Sequence, residues 1–250
     1  MNHISFETCC GSAEDAIAAW KGGASRVELN SDLFHGGLTP SIGSLMVVKQ
    51  QAPDLKVVCM VRPREGGFCY TDCEFDVMLA DAKALLAHGA DGIVFGILNE
   101  NGTIDAKRCQ KMLSVIGNKE AIFHRAIDVV PNVMEALDQL IAMGFTRVLT
   151  SGQKPTALEG AQTICAMIEH AAGRIEILPG SGIRPHNVAL CAKTFQTPYL
   201  HASIHQIAYD DSLQGNPEIH FQGSVPLSER EYKVIHSEDI ANFLKNANKC

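Results

Sequence analysis

Ile4-Ser5-Phe6-Glu7-Thr8-Cys9-Cys10-Gly11-Ser12 opens the chain as a β-strand that runs directly into a helix start. Ile4 to Thr8 alternates apolar and polar side chains, the period of an extended strand. Ser12 to Lys21 follows as an alanine-rich helix, stopped by Gly22-Gly23. The turn between them, Thr8-Cys9-Cys10-Gly11-Ser12, lacks the glycine pattern that a dinucleotide-binding open sheet carries after its first strand. The strand–helix unit must therefore belong to another α/β architecture.

The unit recurs along the chain. Strands are read at Arg26–Leu29, Lys56–Val61, Gly92–Phe95, Ala121–Arg125, Arg147–Thr150, Arg174–Leu178 and Tyr199–Ala202. Helices are read at Ser41–Gln51, Asp72–His88, Asp105–Ile116, Pro131–Met143, Thr156–Ala172, Pro185–Lys193 and Ser237–Asn246. Gly89 and Gly144 stand where left-handed helix stops are expected, and Pro131 suits a first helical turn. Eight strands alternating with eight helices in 250 residues predict one domain, a closed (β/α)8 TIM-type barrel spanning 1–250. Ile204 to Ile235 is polar, without clear period and long for a barrel loop, which suits a surface excursion or a contact with a second subunit.

The net charge of −7, with no run of Lys or Arg, argues against general affinity for nucleic acid or anionic membranes. No apolar stretch approaches the ~20 residues that span a bilayer. The first residues, Met1-Asn2-His3-Ile4, have neither a basic nor an apolar signal region. Nine cysteines, odd in number and scattered, do not make a disulfide framework, so a reducing cytoplasm is expected. Cys59 reads as core, Cys109, Cys165 and Cys191 as helix packing, Cys69 and Cys73 as a loop pair that could converge, and Cys250 as terminal.

In a barrel the outward side chains pack on helices and must be apolar. Ile4, Phe6, Val27 and Leu29 take that role, which turns Glu7, Cys9, Glu28 and Asn30 inward. Arg62, His124, Glu176 and His201 can face the axis by the same parity. Barrel interiors are usually filled with branched apolar residues, and buried charges are costly unless paired. Two readings follow. Either Arg62 and Arg26 neutralise the glutamates in a structural network, or Glu7, Glu28, Arg62, His124, Glu176 and His201 form an acid–base site at the C-terminal ends of the strands. Thr150-Ser151-Gly152-Gln153 and Pro179-Gly180-Ser181-Gly182 follow strands six and seven. Ser151, Gly152, Gly180, Ser181 and Gly182 are the candidate anion-binding residues, because such loops expose backbone N–H groups beside helix starts.

With these motifs in hand, the chain resembles the CutC copper homeostasis family. The matching segments are Val27-Glu28-Leu29, Gly36-Gly37-Leu38-Thr39-Pro40-Ser41, Met60-Val61-Arg62-Pro63-Arg64 and Phe123-His124-Arg125-Ala126. They continue through Arg147-Val148-Leu149-Thr150-Ser151-Gly152-Gln153, Ala157-Leu158-Glu159-Gly160, Arg174-Ile175-Glu176, Pro179-Gly180 and His201-Ala202-Ser203. The family-like core runs from about residue 4 to 203, leaving 204–250 as a C-terminal extension. The resemblance implies a cytosolic TIM barrel that handles copper, with copper(I) held by cysteine and a homodimer or small oligomer as the assembly. Relatives often carry Glu-Val-Cys in strand one and Glu-Leu-Cys in strand two. Here Glu7-Thr8-Cys9 keeps the first thiol and Glu28-Leu29-Asn30 loses the second. Cys9 is then the candidate copper ligand, and a second sulfur must come from Met60, from a cysteine such as Cys59, or from another subunit. The alternative is a barrel-mouth enzyme acting on a small, phosphorylated or sugar-like substrate. A third is a scaffold whose charges are purely structural.

Overall fold

A computed structural model of the chain describes residues 5–215, 218 and 230–248. Ile4 and Cys250 lie outside the described residues, as does part of the polar segment between Ile204 and Ile235. The elements run β1 Ser5–Cys10, α1 Ala13–Lys21, β2 Arg26–Leu29, α2 Ile42–Gln51, β3 Lys56–Met60 and α3 Asp72–Ala87. Next come β4 Gly92–Phe95, α4 Ala106–Ile116, β5 Glu120–Phe123, α5 Val133–Met143, β6 Arg147–Thr150 and α6 Ala161–Ala171. β7 Glu176–Pro179, α7 Val188–Phe195, β8 Tyr199–Ala202, β9 Gln206–Tyr209, β10 Glu231–Val234 and α8 Ser237–Ala247 complete them.

The first eight strands form one parallel sheet in the order β7-β6-β5-β4-β3-β2-β1-β8. The pairing of β8 with β1 brings the last strand to the first, and β7 and β8 run side by side. This is a (β/α)8 barrel. Its closure places Glu7 between Arg26 on β2 and His201 on β8 in the strand register.

Two apolar layers hold it. The large one lies between strands and helices, and holds Phe6, Val27, Leu29 and Cys59. Phe6 packs on Phe243 of α8 with ring centroids 4.3 Å apart, so the segment beyond Ser203 supplies the eighth helix of the ring. The small one, Val58, Met60, Val94 and Ile122, has the opposite strand parity and fills part of the lumen. The helix starts follow from local chemistry. Ser12, Ser41, Asp105 and Asn132 each accept a first-turn N–H, and Thr71 with Glu74 makes a reciprocal capping box.

Three of the boundaries that differ from the sequence reading have a clear local cause. β5 ends at Phe123, because His124 caps a 3-10 turn over Arg125–Val129. Pro131 precedes the α5 cap, Asn132, instead of entering the helix. Helix α6 begins at Ala161, not Thr156, because the chain first folds back on the end of β6. A Cβ on Gly160 would lie 1.9 Å from the Ser151 carbonyl oxygen, and one on Gly152 (φ +69°) 2.3 Å from that of Gly160. Gly160→Ala should therefore destabilise the protein by ~1–3 kcal/mol or more, the cost of forced overpacking, read as a shift in the denaturant midpoint. No helix among the described residues is long and apolar enough to cross a membrane.

Candidate functional site

Buried charge divides the barrel lumen into two levels. At the N-terminal ends of the strands, Arg26 (β2) binds Glu7 and reaches Glu120 at 2.7 Å, and Lys56 also binds Glu120. Arg147 (β6) donates to Glu176 from Nε at 2.7 Å and to Glu7 Oε2 at 3.2 Å. Glu176 is the first residue of β7, so it belongs to this lower network. Its expected place among the acid–base residues of the mouth is corrected: parity turns it inward, but β7 begins at Glu176, the end of the strand away from the mouth. The structural network foreseen for Arg26 exists here. Arg62 takes no part in it.

Glu7 links the levels. Its Oε2 takes both arginines, while Oε1 meets His201 Nδ1 at 2.9 Å. Burial pushes against ionisation of Glu7, but Arg26, the His201 hydrogen bond and Arg147 together hold its carboxyl far below the usual carboxylate range. Glu7 is 1% exposed and does not line the cavity above it.

That cavity, about 480 Å³, opens at the C-terminal ends of the strands. Cys9, Glu28, Met60, Arg62, His124 and His201 all line it. Four of the six residues expected to form the acid–base site therefore meet there, beside the candidate thiol. Cys9 Sγ, a Glu28 carboxylate oxygen and a His201 ring nitrogen lie within 4.8 Å of one another, the spacing of metal ligands. Because Glu7 occupies Nδ1 of His201, Nε2 is the nitrogen left for that cluster. Fixing an imidazole through its second nitrogen is how ligating histidines are usually oriented. Asn30 sits beside the cluster, its amide donating to Glu28 Oε1 at 2.9 Å and reaching Cys9 Sγ at 3.6 Å.

The titratable groups here are strongly displaced. Burial, and next the Glu28 charge, push the Cys9 thiol well up. Burial also raises Glu28, against the pull of His201. For His201 burial works the other way, yet the Glu7 hydrogen bond and the Glu28 charge keep its pKa above the ordinary histidine value. Glu28 Oε2 is buried with no hydrogen-bond partner. A cation between these three groups would satisfy that oxygen and take the place of the protons.

Cys59 is excluded as a second sulfur on geometric grounds. It faces the helices in the outer core, whereas its neighbour Met60 lines the cavity. Cys69 and Cys73 are both exposed.

On the opposite wall, Arg62 is 6% and His124 4% exposed. The Arg62 guanidinium donates to the carbonyls of His35, Gly37 and Gly66 and has no carboxylate partner among the described residues. His124 Nδ1 accepts the Ala126 N–H at 3.1 Å, which places the ring proton on Nε2. Burial and the nearby Arg62 charge lower its pKa to about 3, so the ring is neutral.

The anion loops divide. After β6, the N–H groups of Ser151 and Gln153 and the hydroxyls of Thr150 and Ser151 all donate to Asp128, and Gly152 N–H donates to Thr150 Oγ1. An anion does sit there, but it is the chain's own carboxylate. Gly180 N–H is spent on the Thr150 carbonyl, while Ser181 and Gly182 reach the cavity rim. Asp128, Arg125, Arg184 and Phe68 also line the cavity. None is read as a site residue from sequence: Arg125 and Asp128 stand on the 3-10 turn after β5, and Phe68 and Arg184 on loops where no periodicity points.

The model of the CutC family matches residues 4–206. The chain belongs to the CutC family. A CutC family protein of Treponema denticola is 48% identical over 98% of this chain and 100% of its own length. The human copper homeostasis protein cutC homolog is 41% identical over 93% of this chain and 85% of its own. Among solved structures, a CutC protein from Streptococcus agalactiae superposes with a TM-score of 0.76 at 33% identity, covering 80% of this chain and 98% of that one. A thiamine phosphate pyrophosphorylase from Pyrococcus furiosus, at 12% identity and a TM-score of 0.58, shares the fold alone. The CutC assignment covers both walls of the mouth, from Cys9 on β1 to His201 on β8.

Proposed function

We propose that this CutC protein binds copper in the cytoplasm, at the barrel mouth, through Cys9 Sγ, His201 Nε2 and Glu28. The observation that carries the reading is the convergence of those three ligand atoms within 4.8 Å, with Glu7 fixing the imidazole behind them. The human relative's name, a copper homeostasis protein, supports it. A single thiolate, an imidazole and a carboxylate form a mixed set, softer than an oxygen cage and harder than a paired-thiol site. The site is therefore expected to hold copper(I) loosely and to accept copper(II) or zinc. Competition with a chromophoric copper(I) chelator tests this: retention of copper against a chelator that strips a single-thiolate site would contradict it. Asn30→Cys should tighten copper(I) binding, because position 30 already touches Cys9 Sγ. An unchanged titration in that variant would place the sulfur donors elsewhere.

A second reading has its own observation. Arg62 and His124 present buried, unpaired polar groups in the same cavity, which metal binding at Cys9 does not use. They suit an enzyme or binding site for a small phosphorylated or sugar-like molecule, with Glu28 and His201 as the acid–base pair. Self-association into a homodimer or small oligomer belongs to the proposal too. Exposed Ile207, Tyr209 and Tyr232 on the β9–β10 hairpin support it, and light scattering at micromolar concentration decides it.

A further inference from the structure

Arg62 ties three loop carbonyls, but neither the fold nor the metal site gives its charge a counter-ion or the His124 Nε2 a partner. A guanidinium taken out of water is costly unless an anion or carboxylate accompanies it. Arg62 has three carbonyl partners and the buried Tyr70 hydroxyl beside it, but no anion, and its Nε is buried without a hydrogen-bond partner of good geometry. His124 is held by the Ala126 N–H. Its ring also packs against Gly96, where a Cβ would lie 2.5 Å from Cε1. The Ala126 N–H keeps Nδ1 as the acceptor, and the Nε2–H has no acceptor.

One side chain touches both. The Phe68 ring lies 5.5 Å from the Arg62 guanidinium carbon and 4.8 Å, centroid to centroid, from the His124 ring. It follows Gly66 (φ +82°) and Gly67, where an added Cβ would meet nothing within 4 Å. The Phe68 carbonyl is anchored by the Leu98 N–H at 2.9 Å, and its half-buried ring packs at the edge of the core. With it in place neither orphan donor meets solvent. Arg184 adds positive charge at the rim, whereas Arg125 is already paired with Asp128 at 2.8 Å.

We propose that Arg62 and His124 form an oxyanion subsite at the barrel mouth for the carboxylate or phosphate group of a small ligand, with the Phe68 ring as a lid that this group displaces. The ligand oxygen takes the Arg62 Nε–H and the His124 Nε2–H, satisfying both donors and compensating the charge. His124 acts as a neutral hydrogen-bond donor and not as a base, the use to which a histidine locked in one tautomer is suited. The proposal rests on the second reading above, that the mouth takes a small organic ligand. The metal reading does not depend on it, since none of these residues is among the metal ligands.

The test is NMR of the full-length protein carrying ¹⁵N-labelled histidine, titrated with inorganic phosphate and, separately, with glycolate. Sodium chloride at matched ionic strength is the control. The His124 signals should report the Nε2–H tautomer and move saturably with at least one oxyanion but not with chloride. The tighter of the two assigns the group as phosphate or carboxylate. His124→Leu should weaken binding about tenfold or more, as loss of a hydrogen bond to a charged group does. His124→Gln, which keeps a donor, should recover part of it. Arg62→Met should weaken binding further; if that variant fails to fold, because Arg62 ties three loop carbonyls, His124→Leu decides alone. Phe68→Ala should bind more tightly. Weaker binding in Phe68→Ala would overturn the lid. Unmoved His124 signals in both wild type and Phe68→Ala, or undiminished binding in His124→Leu, would overturn the subsite. Oxyanion binding lost in His124→Leu, in a protein with no turnover, would leave the subsite standing and sink only the enzymatic reading. Turnover of a substrate undiminished in His124→Leu would do the reverse.

Discussion

Cys9→Ser is expected to weaken copper binding by at least about 100-fold, and His201→Ala by a similar factor. Groups that merely orient a metal ligand are commonly worth 10–100-fold, and these two residues supply ligand atoms themselves. Among the described residues, Cys9 is the one thiol whose sulfur lies with Glu28 and His201 in the cluster. In the metal-free state burial holds it as the neutral thiol, while the Glu7 hydrogen bond and the Glu28 charge raise His201 above the ordinary histidine value against its burial. Copper must displace the thiol proton and, below the His201 pKa, the imidazolium proton as well. Affinity should therefore fall as pH is lowered, and calorimetry in buffers of different ionisation enthalpy should show protons released on binding. Release that persists unchanged in the Cys9→Ser and His201→Ala variants would assign the protons to another site.

Glu7→Ala is expected to have the largest effect on stability. Glu7 is the shared partner of Arg26, Arg147 and His201, all in the closed lumen. Removing it leaves two guanidinium groups without that partner, and breaking a buried ion pair from one side costs about 3–5 kcal/mol. The pH dependence has a definite sign. The folded-state pKa of Glu7 is depressed below its unfolded value, so its contribution is fully present above about pH 4.3, the ordinary glutamate value. It drains away as pH falls further. The difference in unfolding free energy between wild type and Glu7→Gln should thus be widest near neutrality and shrink in acid. A difference that stays constant from pH 7 to pH 3 would mean that the Glu7 charge does not hold the barrel.

Much of this architecture was legible because two periods run through the sequence. Strand parity placed Phe6 outward and Glu7 inward, and the structure puts Phe6 on α8 and Glu7 on the arginines of the lumen. The same parity brought Cys9, Glu28, His124 and His201 to one mouth. What parity cannot give is depth along the strand. Glu176 points inward as read, yet β7 begins at that residue, which sets it at the far end with Arg147. Parity applied to β3 would also have separated Met60 from Cys59, since neighbours on a strand face opposite layers. The loops were less legible for a different reason. Ser151 and Gly152 look like an anion cradle by composition, but their partner, Asp128, stands 23 residues from Ser151, and sequence spacing does not show which carboxylate will fold back. Phe68 and Arg184 stand on loops in the same way, joined to the site only by the closure of the barrel.

Crystals of the copper-loaded protein, measured by anomalous diffraction at the copper edge, locate the metal outright. One strong peak is expected in the barrel mouth, bonded to Cys9 Sγ and His201 Nε2 with Glu28 beside it. A copper peak at the exposed Cys69 and Cys73, with none at the mouth, would contradict binding there.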